Sequence, residues 1–197
     1  MSKLHEVEIH RLHPTQITVG MIEVKDKREH LESLPRHERR DLLAAHAVPA
    51  VWGPGDKLYL IDHHHLARAA AEAGIEAAFF QVEEDLSALE IELFWHKMRS
   101  EHWAHPVDEQ GRVKSWEDIP KHVDKLRDDV YRSLAAYVRN AGGYEKTPTA
   151  FAEFRWADFF RSRIAIGPKP TDFTHAVAQA LKLAASPEAA GLPGFIR

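Results

Sequence analysis

Residues 48–74 read VPAVWGPGDKLYLIDHHHLARAAAEAG, and this stretch limits the fold more tightly than any other. VPAVWG (48–53) and KLYLID (57–62) are short apolar runs of strand character. Between them, GPGD (53–56) supplies two glycines and a proline for a tight turn. Together they predict a β-hairpin. HLARAAAEAG follows with good helix formers and closes on Gly74, which suits the position just past a helix end. A strand therefore feeds directly into a helix, and His63, His64 and His65 occupy the junction.

The flanking sequence extends this pattern. HEVEIHRL (5–12) alternates and predicts a strand, followed by turn residues His13-Pro14-Thr15. ITVGMIEV (17–24) is β-branched and reads as a strand interrupted at Gly20, where a bulge or a close backbone approach is expected. Residues 25–46 predict one or two short helices broken near Pro35, and IEAAFFQVEE (75–84) predicts another strand. Helical patterns then take over. They cover 85–102 with Asp85 or Ser87 as N-cap, 121–143 closed by a double glycine, 151–164, and 171–186 capped by Thr171 or Asp172. The expected class is α+β: a small mixed-sheet unit over 1–85, then a mostly helical region over 86–197 packed with it as one domain.

Composition excludes several function classes. Cysteine is absent, which removes disulfides, thiolate catalysis and Cys-ligated zinc. No apolar run approaches the ~18–20 residues that span a bilayer, so no membrane role is expected. The first residues lack the apolar core of a signal peptide, and a cytoplasmic location is the expectation. A net charge of −4 gives a poor background for phosphate-backbone binding, so weak or no binding to duplex DNA is expected. Oligomeric state is open at this level.

The histidine run is the first candidate site. Backbone N–H groups at a helix start attract anions, phosphate above all, and Asp62 could cap that helix. Consecutive side chains point in different directions, so one small ligand is expected to meet two of the three rings. The alternative is a polar run at a helix start, with one ring buried and hydrogen-bonded.

Asp-x-His-His between a strand and a helix resembles the box of the ParB/sulfiredoxin superfamily. More narrowly, the chain resembles the putative ParB-like nuclease family. LHPTQITVGMIEV, LIDHHHLARA, DDVYRSLAAYVR, GGY and FAEFRWADFF carry the likeness in that order across most of the chain. The resemblance implies a small ParB/sulfiredoxin-like fold that binds a nucleotide or phosphate at the strand-to-helix turn. One form of the relatives' box reads Asp-Gly-His-His-Arg. Here His63 stands for the glycine and Leu66 for the arginine, with Arg68 two positions on. The absence of cysteine excludes sulfiredoxin chemistry, and no clear helix-turn-helix follows the first unit.

On this resemblance, Glu23, His64 and His65 are the candidate catalytic residues, Glu23 as a base and the histidines gripping phosphate. Gly20, Lys25, Asp62, His63, Arg68, Arg132 and Arg155 are the candidate phosphate or nucleotide contacts. For Glu23 the alternative is an exposed acid on an edge strand. Asp128 and Arg132, at i and i+4, read either as an intrahelical ion pair or as a polar wall of the cleft. The aromatics of 151–161 read as core, leaving Arg155 and Asp158 open. His96, His102 and His105 could supply imidazoles to a metal, without matching a known spacing. Two functions remain. One is phosphodiester hydrolysis or phosphoryl transfer with a bound nucleotide and Mg or another divalent ion. The other is a non-catalytic ligand- or partner-binding module on the same fold.

Overall fold

A computed structural model describes residues 4–196. The chain divides into two compact units, Met1–Asp128 and Asp129–Arg197.

The first unit is built on a five-stranded mixed sheet. Its strands are β1 (His5–Glu8), β2 (Leu12–His13), β4 (Val48–Gly53), β5 (Lys57–Leu60) and β6 (Ala77–Asp85), in the order β1-β6-β4-β5-β2. A separate parallel pair joins β3 (Thr18–Val19) to β7 (Arg127–Asp128). The hairpin read from 48–62 is present, with Trp52 opposite Leu58 and Gly53 opposite Lys57. Its turn puts Gly55 and Asp56 at φ 71° and 54°. Gly53 has no room for a side chain, since a Cβ would meet the Tyr59 and Phe94 rings at 2.6 and 2.8 Å.

The expected strand over 5–12 is interrupted by a 3-10 turn, Ile9–Arg11, and this interruption shapes the sheet. β1 and β2 lie on opposite edges, yet only that turn joins them. Four inter-strand spacings in a flat sheet would separate them by roughly 19 Å, whereas four Cα steps reach at most about 14 Å. The sheet must therefore curl until its edges approach.

Alternation along the strands covers both faces. Ala50, Leu58 and Leu60 pack with Val24 and Leu31 of α1 (Met21–Ser33) and Ala67 and Ala70 of α3 (His64–Glu72). Val51 and Tyr59 point the other way, toward Phe94, Trp95 and Met98 of α4 (Ile91–Ser100) and Ile119. The break near Pro35 is also as expected, with α2 (Arg36–Ala45) following α1.

Three element assignments need correction. Residues 21–24 are not strand: only Thr18–Val19 pair, and Gly20 is the N-cap of α1. Asp85 and Ser87 do not cap α4. Asp85 ends β6 and turns its carboxylate onto the Ser87 N–H at 3.0 Å, and the helix starts after Glu90. Residues 121–129 are not α-helical: they hold the 3-10 turn Val123–Lys125 and β7.

The second unit holds α5 (Val130–Asn140), α6 (Ala152–Arg161) and α7 (Pro170–Ala184). Asp129 caps α5 by accepting the Tyr131 N–H at 3.0 Å and also pairs with Arg161. The aromatics of 151–161 form its core as expected. Trp156 stacks on Tyr144 at 4.3 Å between ring centres and donates Nε1–H to the Pro193 carbonyl at 2.8 Å. Ala176, Ala180 and Ala184 let α7 approach closely. Among the described residues no helix is long and apolar enough to cross a membrane.

Candidate phosphate-binding site

The site is assembled where β5 runs into α3. Ile61 keeps the sheet bond to the Pro49 carbonyl at 2.9 Å, and the chain then reverses. Asp62 is exposed and its Oδ1 accepts the His63 N–H at 2.6 Å. His63 adopts φ 61°, ψ 25°, the left-handed region that disfavours a Cβ. A glycine would meet this backbone demand at lower cost than His63 does. His63 Nδ1 lies 3.2 Å from the His46 carbonyl, so this ring turns toward α2.

His64 points inward and is 2% exposed. Its Nε2 lies 3.2 Å from both Thr15 N and Thr15 Oγ1. The Thr15 hydroxyl donates to the Leu60 carbonyl at 2.9 Å, so the N–H is what Thr15 gives the ring. Nε2 therefore carries a lone pair, and the proton of the neutral ring is on Nδ1.

His65 does the same for the next segment. Its Nε2 accepts the Gly20 N–H at 2.9 Å, which holds the start of α1 against the first turn of α3. Glu23 Oε2 stands 3.4 Å from that same nitrogen and its other oxygen faces Lys27 Nζ at 3.3 Å. One nitrogen cannot accept from Gly20 and donate to Glu23 together. A neutral His65 caps α1, and a ring protonated at Nε2 would turn to Glu23 instead. The Met21 N–H, next along, is taken by Asp128 Oδ1 at 2.9 Å.

Gly20, Glu23, His64 and His65 are thus brought together, with Thr15 and Asp128 as partners that sequence reasoning missed. Thr15 lay in a recognised turn but carried no chemical signal of its own. Asp128 reads in the sequence either as half of a helical ion pair with Arg132 or as a polar wall of the cleft, and the helix starts only at Val130. Lys25 is exposed and pairs with Glu29 at 3.7 Å. Arg68 is bonded to Glu72 at 2.8 Å, and its other amino group reaches the carbonyls of Val123, Asp124 and Leu126. Arg132 and Arg155 belong to the second unit. Arg132 is buried over the Phe154 ring at 3.5 Å, and Arg155 is exposed. Among the described residues no group of three or more His, Asp or Glu converges as a metal would require, His96, His102 and His105 included.

Residues 5–162 match the family model described as putative ParB-like nuclease. The chain belongs to that family. This ParB-like chain is 42% identical to protein Atu1540 from Agrobacterium tumefaciens, whose crystal structure superposes with a TM-score of 0.92. That match covers 100% of this chain and 97% of the other. The chromosome-partitioning protein ParB from Caulobacter crescentus, solved with CTP-gamma-S, matches at 11% identity and a TM-score of 0.34 over 94% of each chain. So slight a likeness carries no inference about a ligand. No curated protein matches the chain.

Proposed function

We propose that this ParB-like protein binds a phosphate-bearing ligand of the nucleotide class over the start of α3. The observation that carries the reading is the bond from the Gly20 N–H to His65, which joins two helix starts through one side chain. Each helix start carries about half a positive charge, and the two add where they converge. His64 and His65 are positioning residues in this reading. Both Nε2 lone pairs already accept backbone N–H groups, so neither is offered to an attacking water. Binding without hydrolysis or phosphoryl transfer is the expected behaviour.

The residues present do not build a metal centre, so a divalent ion is expected to arrive with the phosphates. Glu23, Asp62 and Asp128 oppose a bare anion, which makes Mg-loaded nucleotide the preferred form. Plain duplex DNA is expected to bind weakly, given the net charge of −4.

Calorimetry with ATP, GTP, CTP and UTP, each with Mg and with EDTA, tests the proposal. At least one nucleotide should bind. Asp62→Asn keeps the acceptor for the His63 N–H while removing a charge, and should tighten binding in EDTA by roughly tenfold. Silence from all four nucleotides in both conditions, or an Asp62→Asn variant identical to the parent, overturns it.

A further inference from the structure

The curl of the sheet leaves a second feature in the first unit. A pocket of about 210 Å³ opens beneath the Ile9–Arg11 turn, where the two sheet edges approach. Val7 and Leu58 are buried and give it an apolar floor, and half-buried Trp52 gives it an aromatic wall. Arg11, Lys57 and Asp56 stand around it. None of its lining residues belongs to the His63–His65 junction.

Charge and volume define what fits. Among the described residues neither Arg11 nor Lys57 meets a carboxylate within ion-pair distance. Among the lining residues, two cations against the Asp56 carboxylate leave one net positive charge. His13 adds none near neutral pH. Burial, the Lys57 charge and His122 push its imidazole below the ordinary value, against a hydrogen bond to the Lys121 carbonyl. His10, on the same turn, is exposed beside Glu8 at 3.6 Å. The volume lies below the ~300–1,000 Å³ of clefts that take drug-sized ligands and above the ~150 Å³ of a cavity that takes one benzene, which suits one substituted ring.

We propose that this pocket is a binding site for a small aromatic carboxylate. The ring packs between Trp52 and the Val7–Leu58 floor, and the carboxylate meets Arg11 and Lys57 at the opening. An arginine fork suits a planar carboxylate, and Trp52 suits a flat apolar body. A single negative charge matches the single net positive charge. This site is independent of the nucleotide reading, and either can fail without the other.

Calorimetry on the full chain at neutral pH, with benzoate, its uncharged isostere benzamide, and inorganic phosphate, decides the matter. Benzoate should bind, with benzamide weaker by about tenfold or more, because loss of a charge-assisted hydrogen bond costs at least that factor. Inorganic phosphate should fail to displace benzoate. Arg11→Gln combined with Lys57→Gln should weaken benzoate by a similar factor, leaving the thermal melt and any nucleotide titration unchanged. Lys57→Gln alone should give a smaller loss in the same direction. Benzoate that does not bind, benzamide that binds equally, phosphate that competes equally, or variants that keep parental affinity each overturn the site.

Discussion

His63 shows how one residue can be readable in type and unreadable in role. Its place at a strand-to-helix junction was evident in the sequence, but its left-handed backbone was not. That conformation costs a residue with a Cβ about 1–2 kcal/mol, whereas glycine adopts it freely. His63→Gly should therefore be more stable than His63→Ala by about 1 kcal/mol, the reverse of the order in a helix interior. Urea unfolding of the two variants measures this, and an alanine variant as stable as the glycine one would show that the turn relaxes. The next two histidines divide differently. His64→Ala removes a buried ring and orphans the Thr15 N–H, at a cost of about 2–3 kcal/mol. His65→Ala removes a cap from the Gly20 N–H and should cost about 1 kcal/mol. Equal costs for the two would contradict the geometry. Three adjacent histidines looked alike in sequence because consecutive side chains of one turn diverge, and only the fold says which partner each ring meets.

The loop around Asp108 behaves as an element with its own pH response. Val107 pairs with Val113, and Asp108 holds the turn between them. Burial alone would raise this carboxyl. The Arg112 backbone N–H, the Arg112 guanidinium and the Gln110 N–H together hold it at about 2, against an ordinary 3.8. A folded-state value below the unfolded one stabilises the native state fully above pH 3.8. That contribution fades as pH falls through about 2. Urea midpoints measured from pH 5 to 2 should drop less steeply for Asp108→Asn than for the parent, and parallel curves would rule the carboxylate out. Sequence reading of the elements succeeded where the signal was local. The hairpin, the Pro35 break and the Gly74 stop each rest on turn chemistry within a few residues. It failed where distant partners decide. The start of α1 is fixed by His65 and Asp128, 45 and 107 residues away, and nothing in ITVGMIEV announces them. Likewise β7 holds 127–128 extended by pairing with β3, so α5 begins later than its periodicity suggests.

At the scale of the molecule, the way the sheet is covered decides how much chain the first unit needs. Ala50, Leu58 and Leu60 face one way, Val51 and Tyr59 the other. All five sheet strands lie within residues 5–85, and so do the helices on the first face. The second face is covered by Leu86, Phe94, Trp95, Met98, Ala104 and Ile119. Val123 and Leu126 complete the first core, while the carbonyls of Val123, Asp124 and Leu126 hold Arg68 and Asp128 caps α1. A fragment of residues 1–85 would have all the sheet strands but would leave a face bearing Val51 and Tyr59 open to water. Such a patch makes a sheet unstable or prone to association. Losing several fully buried side chains at ~1.5–3 kcal/mol each exceeds the whole stability of a domain this size. A fragment of residues 1–128 retains every contact named here. It should show the near-ultraviolet circular dichroism of packed aromatics and one cooperative urea transition, whereas 1–85 should show neither. A shorter fragment that unfolds as cooperatively as the longer one would mean that one covered face is enough, and that residues 86–128 belong to the second unit rather than to the sheet they lie against.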